Sequence, residues 1–241
     1  MKTSIIIPSY NGAAVLRDCI RSIRVFTPPP YEILVVDNGS TDETLTMCRE
    51  ERVPFLSLPE NRGFPAACNA GLRIAGGDAL MLLNNDVLAT RGWLDNMKQC
   101  LLSDPRIGLV GPMSNYASGR QQIQEPFTNI EDMSRRWNVP NPGKWKEVNR
   151  LVGLCLLFRR EVLEQIGPLD ERFTPGHYED DDYCYRVRQA GYRLMIAGDV
   201  FLYHHGSASF GRKEPHTITE LIRINKQKFI DKWGVDPAHF M

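Results

Sequence analysis

Apolar and polar positions along the first half of the chain alternate between two periods. Residues 4–7 form a β-branched run stopped by Pro8 and read as a strand, while residues 13–25 carry Val15, Leu16, Cys19, Ile20 and Ile23 at helical spacing. Pro28, Pro29 and Pro30 break that pattern, and residues 33–36 make a second buried strand ending at Asp37. Ser40 to Glu43 have the form of a capping box, with Ser40 as N-cap and Glu43 as reciprocal partner, opening a helix to about Arg49. A weak strand over 55–58, a helix over 64–74, a strand over 79–83, a helix over 93–102 and a strand over 107–110 follow. Strands alternating with helices of this length predict βαβ units, hence an α/β fold with a Rossmann-like, mostly parallel sheet flanked by helices. In such sheets ligands bind beyond the carboxyl ends of the strands.

Residues 112–150 depart from this rhythm. Four prolines and many Asn, Ser and Gln predict a long excursion, helical only around 130–137, and long loops in compact domains tend to be functional or mobile. Regular pattern resumes with a strand over 151–158, a helix over 160–166 and a helix from about Asp181 to Ala190 closed by Gly191. Short strands over 193–196 and 200–203 precede an amphipathic helix over 217–233. The apolar face of that helix, Leu221, Phe229 and Trp233 among others, is expected to pack on its own domain, with a homodimer seam as the other use.

Composition narrows the class. Lys plus Arg and Asp plus Glu number 29 each, so no global field draws the chain to nucleic acid. The six cysteines lie apart without a C-x-x-C pair and read as buried free thiols of a reducing compartment. The chain opens without a leader pattern. Its longest apolar run, residues 151–158, is far short of the ~20 residues that cross a bilayer. A soluble cytoplasmic protein, at most peripheral to a membrane, is expected.

Polar clusters follow three strand ends: Pro8 to Asn11, Asp37 to Asp42, and Asn84 to Asp86. Asp37 can accept a hydrogen bond from a pyrimidine imide N–H, or simply form the turn before Gly39. Asp86 can ligate Mg²⁺ or Mn²⁺, which take oxygen ligands from one or two carboxylates plus substrate phosphates, or form an Asx turn. Arg62 and Gly63, before a helix start, can offer a cation and free N–H groups to a diphosphate. Glu179, Asp180, Asp181 and Asp182 crowd a helix N-terminus. Successive residues lie about 100° apart, so one or two would face a cleft and the others would cap or meet water. Crowded carboxylates tend to raised pKa values, which suits a general base. His204 and His205 follow a strand, and at most one of two adjacent extended residues faces a metal.

In this order, Ile5-Ile6-Ile7-Pro8-Ser9-Tyr10-Asn11, Val35-Val36-Asp37-Asn38-Gly39-Ser40-Thr41-Asp42, Asn61-Arg62-Gly63-Phe64 and Leu83-Asn84-Asn85-Asp86 resemble family 2 glycosyltransferases. So does Glu179-Asp180-Asp181-Asp182-Tyr183-Cys184-Tyr185-Arg186, followed by Gly191-Tyr192 and His204. The similarity covers about residues 3–210 and looks most like the rhamnosyltransferase branch. The resemblance implies one GT-A domain: a nucleotide-binding half over 1–111, an acceptor and catalytic half with a smaller sheet over 112–210, and a C-terminal helix over 211–241. It implies inversion at the anomeric carbon, a UDP- or dTDP-sugar donor, and a glycan, lipid-linked or protein acceptor. Asp37 would read the base; Pro8, Tyr10 and Asn11 would shape the nucleotide pocket, with Arg62, Gly63 and Asn85 nearby. Asp86 and His204 would hold Mg²⁺ or Mn²⁺, and Asp180 would be the base. His204 is preferred over His205 for its five-residue offset from Ser209. One departure is Asn84, a neutral oxygen where the family often has a first aspartate. Two rival readings are a sugar-nucleotide nucleotidyltransferase, which usually carries a glycine-rich triphosphate loop, and a non-catalytic carbohydrate-binding protein on the same fold.

Overall fold

The computed structural model describes residues 1–206 and 215–240. The first strand, β1 (Thr3–Ser9), is buried at every position, as befits a central strand covered on both faces. Its alternation divides the core. Ile5 and Ile7 point to one layer, with the buried face of α1 (Ala13–Phe26), Met47 and Cys48 of α2 (Thr44–Glu50) and Trp93 of α4 (Trp93–Leu102). Ile6 points to the other, with α3 (Phe64–Ile74), Val162 of α6 (Arg160–Ile166) and Tyr183 of α7 (Glu179–Gln189). Two helical layers thus sandwich one sheet.

Strand order is β3-β2-β1-β4-β8-β6-β9-β5, with β7 pairing β9 off this path. β1 pairs in parallel with β2 (Tyr31–Asp37) and β4 (Ala79–Leu83), and β2 with β3 (Phe55–Ser57). β8 (Cys155–Arg159) runs antiparallel between β4 and β6 (Ile107–Ser114), and β6 pairs in parallel with β9 (Arg193–His204). Two short strands escape the periodicity altogether: β5 (Val87–Leu88) and β7 (Lys146–Val148), each antiparallel to β9. Runs of two and three residues carry no detectable period, so only long-range pairing defines them.

The structure corrects several expectations. Ser40 and Glu43 do not form a capping box. Helix α2 begins at Thr44, and Ser40 Oγ instead accepts the Asn11 N–H at 2.9 Å. Asp42 takes the capping contact, accepting the Thr44 N–H at 3.0 Å. The apolar stretch 151–154 precedes β8 rather than belonging to it, because Gly153 turns the chain toward α7. The two strands expected over 193–203 are one strand of 12 residues, whose register against β6 shifts between Pro112/Ala197 and Met113/Phe201. At that bulge Asp199, fully buried, accepts from the Trp145 indole and the Asn141 N–H, both at 2.8 Å, and so ties down the excursion. The expected helix over 130–137 is α5 (Ile130–Trp137), N-capped by Asn129.

The last helix, α8 (Pro215–Trp233), packs on its own chain. Asn225, fully buried, lies within 3.0 Å of the carbonyls of Phe173, Gly176 and His177, and Phe229 is fully buried. All six cysteines are buried and free, and burial pushes their thiol pKa values up. No described helix is long and apolar enough to cross a membrane.

Candidate functional site

The carboxyl ends of β1 and β4, the start of α7 and the end of β9 surround a cavity of about 470 Å³. Its wall includes Pro8, Asn84, Asn85, Asp86, Arg150, Gly153, Glu179, Asp180, Asp181 and His204. Asp86 and Asp180, 94 positions apart in sequence, therefore share one hollow.

Strand β5 decides the first pair. Its antiparallel pairing sets Val87 opposite His204, and the His205 N–H donates to the Asp86 carbonyl at 3.0 Å. The His204 ring is thereby set against the Asp86 carboxylate, Nε2 to Oδ1 3.1 Å, while Nδ1 lies 2.7 Å from the Tyr116 carbonyl. A carbonyl only accepts, so Nδ1 carries a proton. Nε2 then meets the carboxylate either as a second N–H or as a lone pair beside a shared cation. Burial disfavours the imidazolium, but the Asp86 hydrogen bond and charge and the Tyr116 carbonyl outweigh it and raise the His204 pKa. His205 is exposed, so the adjacent histidines do point apart.

This arrangement fits a divalent cation. Two ligand atoms converge, and Asn84 Oδ1, in the same wall, is buried without a hydrogen-bond partner among the described residues. The described residues contain no group of three or more His, Cys, Asp or Glu able to hold a metal, so a cation here would draw its remaining ligands from substrate and water.

The acid turn is built differently from expectation. All four acids are buried; Glu179, Asp180 and Asp181 line the cavity, and Asp182 is fully covered. Tyr178, a left-handed residue (φ 71°) following left-handed His177 (φ 70°), turns the chain into α7. Asp180 Oδ2 accepts the Gly153 N–H at 2.8 Å, and its Oδ1 accepts the Asp181 N–H at 2.9 Å. A Cβ on Gly153 would lie 3.2 Å from that of Asp180, so a bare glycine permits the approach. Asp181 is forked by the Arg150 guanidinium, yet burial and then the Asp180 charge push its pKa up to about 7. Burial, and then the charge of Asp180, raises Glu179 well above the usual carboxylate range, and its Oε2 has no hydrogen-bond partner among the described residues. Asp182 faces the opposite way, toward Arg186, Lys232 and the Trp233 indole.

The expected nucleotide residues lie along one rim without sharing one wall. Pro8 lines the cavity, and Asn85 separates it from a wider hollow of about 660 Å³ over the starts of α1 and α2, where Asn11 lies. Tyr10 is 39% exposed at the strand end. Asn11 Oδ1 accepts the N–H groups of Thr41 and Asp42 at 2.7 and 3.3 Å, stitching the two loops together. Asp37 lines neither hollow. It is buried, accepting from the Ser40 N–H at 3.1 Å and the Ser57 hydroxyl at 2.9 Å, because β3 lies directly alongside. The three carboxylates therefore do not all open onto one crevice: Asp86 and Asp180 do, and Asp37 lies beside it. Arg62 is exposed, its N–H bonded to Asn38 Oδ1 at 3.0 Å. Gly63 (φ 85°) sits against Thr174, which a Cβ would meet at 2.7 Å. Ser209 lies outside the described residues.

Sequence reasoning passed over Arg150, Gly153, Tyr116 and Asn225. A lone arginine opening an apolar run, and an asparagine on the apolar face of the last helix, were the available signals.

The profile of "Glycosyl transferase family 2" matches residues 4–167. The chain belongs to glycosyltransferase family 2. Among curated relatives, this family 2 chain is 30% identical over 97% of its length to "Glycosyltransferase AglE" of Haloferax volcanii, covering 74% of that protein. It is 28% identical over 85% of its length to the "N-acetylglucosaminyl-diphospho-decaprenol L-rhamnosyltransferase" of Mycobacterium tuberculosis, covering 76% of it. An uncharacterized Sinorhizobium fredii protein, y4gI, is 30% identical over 88% of this chain, which spans only 25% of that protein's length. Among solved structures, a mannosyltransferase of Pyrobaculum calidifontis, in complex with GDP-Man and Mn²⁺, superposes with a TM-score of 0.67 at 23% identity, over 86% of this chain and 58% of that one. The fold of this family 2 glycosyltransferase is thus the GT-A type.

Proposed function

We propose that this glycosyltransferase inverts the anomeric carbon as it moves a sugar from a UDP- or dTDP-linked donor to an acceptor hydroxyl. The observation that carries the reading is the cavity into which both the Asp86–His204 pair and Asp180 project. The acceptor oxygen attacks the anomeric carbon, its proton passes to the Asp180 carboxylate, and the bond from that carbon to the diphosphate oxygen breaks. The Gly153 N–H fixes one Asp180 oxygen and the Asp181 N–H the other, so the carboxylate is oriented before the acceptor arrives. Asp86 and His204 would hold Mg²⁺ or Mn²⁺, which when bound offsets charge on the departing diphosphate.

On the donor side, Pro8 and Tyr10 flank the strand end, Arg62 is an exposed cation beside Gly63, and Asn11 and Asn85 shape the rim. Asp37 opens onto neither hollow, so its reading of the base requires the loop after β2 to part and expose the acceptor capacity that Ser40 and Ser57 leave unused. The rhamnosyl transfer named for the mycobacterial relative favours a dTDP donor. Acceptors are a glycan, a lipid-linked glycan or a protein side chain. Buried free thiols support a cytoplasmic setting, with peripheral membrane contact or a homodimer as further assemblies.

A panel of UDP- and dTDP-sugars, scored by thermal stabilisation with and without Mn²⁺ or Mg²⁺, tests this directly. Stabilisation should require the cation and be lost in Asp86→Asn. Pyrophosphate release from a nucleoside triphosphate and a sugar phosphate would sink the reading in favour of nucleotidyl transfer.

A further inference from the structure

Behind the acceptor side of the site lies a second cavity, of about 380 Å³, within the ~300–1,000 Å³ range of small-molecule sites. The two cavities share Ser118, Arg150 and Val152 as a common wall. That wall is held firmly. Arg150 Nη1 donates to Ser118 Oγ at 3.0 Å while the rest of its guanidinium grips Asp181. The Val152 N–H donates to Gln121 Oε1 at 2.7 Å, and Gln121 Nε2 donates to the Pro112 carbonyl at 2.8 Å. The next residue, Gly153, donates to Asp180. One short segment, residues 150–153, therefore faces the proposed base on one side and the second cavity on the other.

The lining suits a sugar ring. Val148 and Ile196 supply an apolar floor, and Arg120, Glu147, Asn149 and His239 a polar rim. Glu147 is already paired with Arg193, and Arg150 with Asp181, so among the described residues the Arg120 fork is the charged group the rim leaves open to a ligand's oxygens. Arg120 and Asn149 are exposed, and neither side chain makes a hydrogen bond or ion pair with another described residue. Forked donors and acceptors above an apolar floor match the hydroxyls and C–H faces of a neutral hexose unit.

Resting on the transferase reading above, we propose that this cavity binds the acceptor sugar adjacent to the one that carries the reacting hydroxyl. The enzyme then reads an acceptor at least two residues long. A hydroxyl held at Asp180 can have its parent chain leave over the 150–153 wall, which the two cavities share and which touches Asp180 through Gly153.

The test uses the whole chain with its donor and Mn²⁺, and para-nitrophenyl monoglycosides beside the matching diglycosides as acceptors. Wild type should show higher kcat/KM for diglycosides. The Arg120→Ala/Asn149→Ala double variant, which removes exposed side chains only, should lose roughly tenfold on diglycosides, with monoglycoside transfer and acceptor-free donor hydrolysis unchanged. Equal wild-type rates on both acceptor lengths, or an equal loss on both in the variant, would overturn the subsite. Absence of any donor turnover in wild type is a separate result, which removes the transferase reading and the subsite with it.

Discussion

The loop after β2 and the first turn of α7 both gather polar side chains at the rim of the sheet, and they meet the cost of burial in opposite ways. In and against the β2 loop, the oxygens of Asp37 and Ser40, and that of Asn11 from the neighbouring β1 loop, each accept from nearby N–H or hydroxyl donors. Asp42 does the same with Thr44 and Ala13, and although burial works against it, these hydrogen bonds hold its pKa below the usual range. In the α7 turn, Glu179 keeps an oxygen without a partner among the described residues, and both it and Asp181 are pushed upward by burial and by Asp180. A saturated loop holds shape; a crowded acid turn concentrates titratable groups where proton transfer needs them. Asp182 is the instructive exception. It sits in the acid turn but is fully paired, so it should behave like the loop.

The largest expected effect is on rate. Asp180→Asn should lower kcat about 10²–10⁴-fold with donor binding retained, in paired transfer and donor-binding assays, and with a modest drop in melting temperature because the amide has one acceptor oxygen for the Gly153 and Asp181 N–H groups. Near-normal turnover would remove Asp180 from the chemistry and blur the contrast between the two regions.

Next comes Asp182→Ala. It removes the carboxylate that accepts from Arg186, Lys232 and the Trp233 indole, leaving Lys232 with Asp170 and Arg186 with the Ile166 and Pro168 carbonyls, and should cost ~3–5 kcal/mol in urea denaturation at neutral pH. A negligible loss would show that pairing has no weight in the acid turn.

Asn11→Ala should cost ~0.5–1.5 kcal/mol by removing the acceptor of the exposed Thr41 and Asp42 N–H groups from a left-handed residue (φ 50°). Unchanged stability with lost donor binding would instead make Asn11 a ligand contact.

The last contrast is a pH dependence. The folded-state pKa values of Glu179 and Asp181 lie above their unfolded values, so their contribution is fully present below the unfolded carboxylate range. It is lost as pH rises through the folded values, about 7 for Asp181. Melting temperature should therefore decline across that window, and Glu179→Gln should remove part of the decline. An identical slope in the variant would mean that Glu179 stays ionised in the folded protein.

Much of this was legible in the chain itself. The strand-then-helix rhythm placed β1, β2, β4, α1, α3 and α4 within a few residues, because each is long enough to show its period. Ser40 misled because a helix start and a loop stitch use the same residue types, and only the position of Asn11 distinguishes them. The acids were expected to divide between cleft and water. They are all buried because α8, through Lys232, Trp233 and Asn225, covers the side that a lone helix would expose.

What the amino-acid order determined unaided was local: which segments form strands or helices, and which chemical groups stand at their ends. Those choices follow from backbone sterics and from a hydrophobic period read over a single turn or pleat. What only the folded chain decided was company. Two residues of β5 bring Asp86 to His204, one glycine admits Asp180 to the 150–153 wall, and β3 covers Asp37. Such meetings depend on register between strands far apart in the chain, and register is set by the packing of the whole sheet.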